Sequence, residues 1–301
     1  MSDTVQTLDG PASGKADFEF SYAQPEFSAL RRAVIRTLEG LGGRPLLERM
    51  YRDWSAKPHP DETIFAAAVR LMGIDVQTDF AGWRNIPRTG PVLIVANHPF
   101  GVIDGLTLGH LATLVRRDVK IMAHSLLCKP PEVRRYILPV DFGGTAGARR
   151  TSAQTRRSAV EWLTEGHVLV VFPAGGVATA ATPFSRDILE AAWHPFTARL
   201  LDVPGLTVLP AFFEGQNSRI FHLASHVSYT LRLALLIFES MRHFSGTIRV
   251  TLGQGLRAAE ITGSDKAART GRLRQITYSL APGRAPDWRR EFVWPKHISF
   301  T

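Results

Sequence analysis

Cysteine is almost missing from this chain: a single residue, Cys128, in 301. An internal disulfide is thereby excluded, and the surrounding Leu126-Leu127-Cys128-Lys129-Pro130-Pro131 brings no second ligand, so the thiol reads as incidental rather than nucleophilic. Long apolar runs are missing too. Residues 166–185 carry no Asp, Glu, Lys or Arg, but Pro173, Gly175, Gly176 and Pro183 interrupt them. That excludes a spanning helix there and makes peripheral contact the expected form of any membrane association. The opening Met1-Ser2-Asp3-Thr4-Val5 has neither the basic start nor the apolar core of a secretory leader, so the expected location is the cytoplasmic face of the inner membrane. Internal repeats and low-complexity tracts are absent.

Acidic side chains are in deficit, 27 against 36 basic ones, a formal charge of +9. The excess is concentrated. Residues 116–157 hold ten basic side chains against Asp118, Glu132 and Asp141. Such clustering suits a polyanionic partner: an anionic bilayer, an acidic carrier protein, or the phosphates of coenzyme A. Nucleic acid is not an expected partner, because charge is its only support and no recognised module is present. No metal is expected either: His222 and His226 have helical spacing, but Leu223 stands where a zinc hydrolase needs Glu. The Gly-rich stretch 143–147 lacks the Gly-Lys-Ser/Thr ending of a nucleotide loop.

What the chain does have is organised around residues 91–104, Pro-Val-Leu-Ile-Val-Ala-Asn-His-Pro-Phe-Gly-Val-Ile-Asp. An apolar run ending in turn residues predicts an inner strand of a parallel sheet, and Asp104 before a helical pattern predicts strand, turn, helix. His98 and Asp104 then meet at the carboxyl end of a strand, where open α/β sheets bind ligands. A carboxylate on the far nitrogen of an imidazole fixes its tautomer and supports it as a base. No serine or cysteine accompanies the pair, so the hydroxyl or amine it would activate belongs to the substrate.

Along the chain, residues 1–20 read as a mobile polar tail and 21–73 as an N-terminal helical appendage. Its first helix, with Phe27, Leu30, Val34, Ile35 and Leu38 on one face and Arg31, Arg32 and Arg36 off it, suits either membrane contact or packing on its own domain. Two more helices are expected near 44–54 and 60–72. From Ile74 strands and helices alternate: Val76, Thr78 and Phe80 have strand spacing, and strands follow at 91–97, 119–124, 136–142, 168–172, 206–213 and 247–252. Helices are expected from Asp104, at 152–165, around 186–200 and over a long stretch near 219–242. The fold class is α/β, a mostly parallel central sheet flanked by helices over 74–257, with a C-terminal extension at 258–301 whose interleaved Trp and Arg suit a membrane interface or simple packing.

Three ordered blocks within 78–257 resemble the glycerolipid (lysophospholipid) acyltransferase superfamily. Asn97-His98-Pro99-Phe100-Gly101 followed by Asp104 is similar to its first block, with five residues rather than four between His and Asp, the HX5D spacing of the "hemolysin-like" subgroup that includes lyso-ornithine lipid acyltransferases. Phe172-Pro173-Ala174-Gly175-Gly176 resembles the Phe-Pro-Glu-Gly block, and Val208-Leu209-Pro210 leading to Glu214 resembles the late Val-Pro block. The resemblance implies catalysis by His98 and Asp104, with Asn97, Phe100, Gly101, Phe172, Pro173, Gly175, Gly176 and Glu214 about the substrate. It implies an acyl thioester as co-substrate, carried by acyl carrier protein or coenzyme A, without further cofactor.

The departures bear on the acceptor. Asp141 stands where the family's second block places a phosphate-clamping arginine, and Ala174 replaces the usual Glu. A carboxylate repels phosphate and attracts an amine, so the expected acceptor is the hydroxyl of a lyso-aminolipid such as lyso-ornithine lipid. Arg149 or Arg150 leaves acylation of 1-acylglycerol-3-phosphate or another lysophospholipid open, and a non-catalytic, membrane-active or lipid-binding protein is the alternative from another class. The amides of Gly175 and Gly176 are candidate oxyanion donors, and Asn217 with Ser218 reads as a helix cap.

Overall fold

The computed structural model describes residues 19–57, 59–140, 146–283 and 285–298, leaving aside the side chains of Leu126, Ala146, Ala148 and Arg149. Helices α1 (Ala29–Leu41), α2 (Arg44–Ser55) and α3 (Ile64–Leu71) come first. Next are β1 (Asp75–Gln77), α4 (Phe80–Arg84), β2 (Val92–Ala96), α5 (Val102–Thr113) and β3 (Val119–His124). Then follow α6 (Pro131–Arg134), β4 (Ile137–Val140), α7 (Ala146–Thr164), β5 (Val168–Val171), β6 (Thr179–Ala180), β7 (Ile188–Leu189) and α8 (Phe196–Leu200). The chain closes with β8 (Thr207–Phe213), α9 (Arg219–Val227), α10 (Tyr229–Met241), β9 (Thr247–Leu252), β10 (Leu256–Arg257) and α11 (Lys266–Tyr278).

The central sheet runs β1-β9-β8-β2-β5-β3-β4, with β10 added antiparallel to β8. Five of these strands, β8 through β4, are mutually parallel, and β9 turns antiparallel against β8. β2 lies at the centre, with Val92 opposite Val168 on one side and Thr207 on the other. Its five residues are all buried. Val92, Ile94 and Ala96 join the core beneath α3 and α5, and Leu93 and Val95 the core beneath α7 and α11. A strand covered on both faces cannot alternate in polarity, which is why it reads as an unbroken apolar run. On the first face α3 approaches α5 so closely that a Cβ on Gly109 would lie 2.6 Å from the Phe65 ring.

Three expectations change. Phe80 does not extend a strand; Asp79 caps α4 there by accepting from the Ala81 N–H at 3.0 Å. The helix expected over 186–200 shrinks to Phe196–Leu200, and β7 instead pairs with β6 in a two-stranded sheet. Pro195, which cannot extend a helix through its own position, precedes the surviving turn. The stretch 219–242 is two helices, broken at Ser228, whose backbone is extended.

The first helix packs on the domain: α1 lies along α10, burying Ile35 and Glu39. Glu39 accepts from the Ser21 hydroxyl at 2.6 Å and the Tyr22 N–H at 2.7 Å, drawing the preceding segment onto the helix. Leu30 and Leu41 point away and are exposed. The tail packs too, with Phe292 buried, its N–H donating to the Glu190 carbonyl at 2.8 Å.

Candidate active site

The site is built by one strand, one turn and one helix start. Just past β2, the Asn97 side chain donates to the Phe213 carbonyl at 2.9 Å and accepts from the Phe213 N–H at 2.7 Å. The amide thus continues the β2–β8 ladder by one rung, which corrects its expected role at the substrate: both of its polar ends serve the sheet. Phe100 is likewise turned inward, buried with its ring 4.5 Å from that of His243. Gly101 has φ 82° and ψ −118°, a region that side chains other than hydrogen enter at a cost of about 1–3 kcal/mol. That turn carries the chain directly into α5.

Asp104 sits in the first turn of α5 and is fully buried. Its Oδ2 accepts from the backbone N–H of Phe100 and of Gly101, each at 2.9 Å, and from His98 Nδ1 at 2.8 Å. Burial pushes this carboxyl above its usual range, opposed by the hydrogen bond and charge of His98 and by the two backbone N–H groups. The carboxylate accepts at Nδ1, so Nδ1 carries the proton and Nε2 holds the free lone pair. Of the two side chains only the imidazole reaches solvent, at 17% exposure against 0%. Its other face stacks on Phe172, 4.2 Å between centroids.

Elements distant in sequence hold the backbone of His98. Its carbonyl accepts from the Ala178 N–H at 2.8 Å. Its N–H donates at 2.5 Å to Oε1 of Glu190, whose Oε2 accepts from Trp193 Nε1 at 2.8 Å and the Tyr278 hydroxyl at 2.7 Å. Glu190 is buried, and burial raises its carboxyl's pKa against the pull of these donors and of Arg274. The sequence reading missed it because it stood within an expected helix.

Of the remaining expected residues, Pro173 is buried with its carbonyl accepting from the His194 N–H at 2.9 Å. The Gly175 N–H donates to the Phe172 carbonyl at 3.0 Å, closing the turn, so it is not available to an oxyanion. The Gly176 N–H has no acceptor among the described residues and remains a candidate. Glu214 is half-buried just past β8, its N–H donating to the Arg249 carbonyl at 3.1 Å. Arg150 is exposed on α7, which begins beyond the carboxyl end of β4. Asp141 and the side chain of Arg149 lie outside the described residues.

Past β8, Ser218 caps α9, accepting from the Phe221 N–H at 3.2 Å. Asn217 is not part of the cap. It is buried, and neither end of its amide has a partner among the described residues. His222 and His226 grip β6: Nδ1 of His222 accepts from the Ala180 N–H at 3.3 Å, and Nε2 of His226 donates to the Ala180 carbonyl at 2.8 Å. Arg232, buried without a carboxylate partner among the described residues, holds Val177, Thr179 and Ser225.

Comparisons with known proteins follow the same lines. Lyso-glycine lipid O-acyltransferases of Phocaeicola vulgatus and Bacteroides thetaiotaomicron are each 23% identical, over 193 and 189 residues, or 60% of this chain. The match spans just under two thirds of those relatives, 64% and 66% of their lengths. The crystal structure of the 1-acyl-sn-glycerophosphate (LPA) acyltransferase PlsC from Thermotoga maritima aligns at 17% identity with a TM-score of 0.43, covering 83% of this chain and 79% of that one. The family model described as acyltransferase matches residues 36–281, which include every element from β1 to α11. The chain belongs to the acyltransferase family.

Proposed function

We propose that this protein is a lysolipid O-acyltransferase, moving a fatty acyl group from a thioester to the hydroxyl of a lyso-aminolipid. The observation that carries the reading is the His98–Asp104 pair: a buried carboxylate at 2.8 Å from an imidazole whose other nitrogen has no hydrogen-bond partner among the described residues. Nε2 takes the proton of the acceptor hydroxyl as its oxygen attacks the thioester carbonyl. The C–S bond then breaks, the ester remains on the lipid, and the departing thiolate takes up a proton. Asp104 holds the ring's tautomer and stabilises the imidazolium between those events. The Gly176 N–H is the candidate donor to the oxyanion.

The amino-acid head group is supported by the sequence position of Asp141, a carboxylate where the family's phosphate-clamping arginine is expected, and by the lyso-glycine lipid named for both curated relatives. Lyso-ornithine and lyso-glycine lipids are therefore the acceptors to supply. For the donor, Arg150 and Arg157, both exposed on α7, suit the acidic surface of an acyl carrier protein or the phosphates of coenzyme A. No helix among the described residues is long and apolar enough to cross a membrane, and the reading takes the lipid at the surface of the inner leaflet.

The test is lipid mass spectrometry of a host expressing wild type or His98→Ala, supplied with lyso-ornithine lipid, lyso-glycine lipid or lysophosphatidic acid. Conversion of an aminolipid by wild type, lost in the variant, is the expected result. Conversion of lysophosphatidic acid alone overturns the acceptor, and undiminished turnover by the variant overturns the base. Liposome leakage without any conversion, surviving in His98→Ala, replaces the enzyme with a membrane-active protein.

A further inference from the structure

Two features not used by the acyl-transfer site lie side by side. The first is a cavity of about 250 Å³ between the start of α1 and the α9–α10 junction, lined by Arg31, Val227, Ser228, Tyr229, Thr230, His297 and Ile298. Arg31 stacks its guanidinium face on Phe27, 3.6 Å from the ring centroid. Its Nε and Nη2 are buried and have no acceptor among the described residues. These two nitrogens share one edge of the guanidinium, the edge that donates in parallel to two oxygens of one phosphate or carboxylate. Neighbouring Arg32 is spoken for, donating to the carbonyls of Pro25 at 3.0 Å and Phe27 at 2.6 Å. An arginine fork held by an aromatic ring, its buried edge meeting no acceptor among the described residues, is an incomplete anion site.

The second feature is an exposed apolar stripe on α9 that reaches that cavity at Val227. On α9, Ile220, Leu223 and Val227 follow one another at i, i+3 and i+7 and are 62%, 44% and 59% exposed. Val227 also lines the cavity. Leu30, one residue before Arg31, is 77% exposed, and Val293 is 82% exposed beside Trp294, whose ring meets Tyr229. Single exposed apolar residues are ordinary; a helical stripe that runs to the rim of a cationic cavity is not. Lys296, exposed, adjoins His297 of the cavity lining, while the exposed acidic residues on the same segments are Glu26 ahead of α1 and Glu291, which pairs with Arg274 at 2.9 Å.

We propose that this cavity seats the phosphate of an anionic membrane phospholipid, with Arg31 as its bidentate ligand and the α9 stripe and Leu30 entering the acyl layer beside it. Charge complementarity selects the occupant: the chain carries +9, the cavity presents the Arg31 fork and no carboxylate in its lining, and a phosphodiester on a bilayer offers the two oxygens and adjoining hydrocarbon together. A soluble phosphate would meet the fork but leave the stripe in water. The position is consistent with the proposed lipid acceptor, because α9 grips Ala180, two residues beyond the Ala178 N–H that holds His98. The seat binds a lipid distinct from that acceptor.

Flotation of the full chain with phosphatidylcholine vesicles, with and without about one third phosphatidylglycerol, tests this without recourse to turnover. Its failure therefore leaves the acyl-transfer reading standing, and the converse holds. Wild type is expected to bind the anionic vesicles. Arg31→Gln is expected to weaken that binding about tenfold or more. Arg31→Lys keeps the charge but not the fork and is expected to fall most of the way with it. Arg52→Gln, an exposed arginine on α2, is the control for net charge, and Leu223→Asp is expected to weaken binding to both vesicle types. Circular dichroism and melting temperature establish that each variant is folded.

Equal losses in Arg31→Gln and Arg52→Gln overturn the seat in favour of diffuse charge. Stabilisation of wild type, but not Arg31→Gln, by inorganic phosphate, with vesicle binding indifferent to Arg31, overturns the lipid in favour of a soluble anion. Self-association abolished by Leu223→Asp, without vesicle binding, overturns it in favour of a second copy of the chain.

Discussion

Replacing Asp104 by Asn separates the charge of the dyad from its shape. An Asn oxygen in the place of Oδ2 still accepts from Phe100, Gly101 and His98, because all three bonds converge on that one atom. The amide NH2 then occupies the place of Oδ1, which is buried and has no partner among the described residues. What disappears is the negative charge facing the imidazolium. At about 4 Å and an effective dielectric of about 20, that attraction is about 4 kcal/mol, and loss of charge assistance in the hydrogen bond alone is about 1–2 kcal/mol. Turnover is therefore expected to fall about 100- to 1,000-fold. Stability moves differently. The carboxylate is disfavoured by its own burial, so its neutral isostere removes that penalty while adding one orphan donor of about 1–3 kcal/mol, and the two nearly offset. The assay is initial-rate acyl transfer to the preferred lysolipid, paired with urea unfolding. A variant within fivefold of wild-type turnover refutes the charged dyad. One that loses activity only in proportion to unfolded protein shows that Asp104 merely builds the turn.

Two further predictions concern the support of the site. Glu190→Gln offers one oxygen and one NH2 to three donors, so at least one is stranded at about 1–3 kcal/mol, and Glu190→Ala strands all of them at a larger cost in urea unfolding. An Ala variant within about 1 kcal/mol of wild type contradicts the buried anchor. His222 is lowered from 6.5 to about 4, chiefly by burial and then by Arg232. Between those values the unfolded chain binds the extra proton, so stability is full above about pH 6.5 and drops by roughly 3 kcal/mol as pH falls to about 4. Asp104 and Glu190, both raised by burial, oppose this in acid, so the measurement is the difference between wild type and His222→Gln in urea at several pH values. Parallel pH profiles for the two refute the assignment.

Local features of this protein are legible in the order of its residues. Strand, turn and helix start from Val92 to Asp104 lie within one stretch, so the apolar run, the glycine at φ 82° and the carboxylate in the first helical turn specify the dyad together. Five intervening residues are enough for the turn to bring Asp104 back to His98. The parallel sheet was legible for the same reason, since strands covered on both faces must be continuously apolar. Tertiary structure decided whatever depends on partners far along the chain. Asn97 meets Phe213 across 116 residues and Glu190 reaches the His98 amide across 92, and neither side chain announces its partner. The spacing over 186–200 suited a helix, but pairing of β7 with β6 and burial of Glu190 among three donors prevailed. Gly175 and Gly176 look alike in sequence; only the fold spends the first N–H on the Phe172 carbonyl. Local patterning specifies conformation one element at a time. A polar group's role depends on which donors and acceptors the packed elements bring to it, and that is settled when they pack.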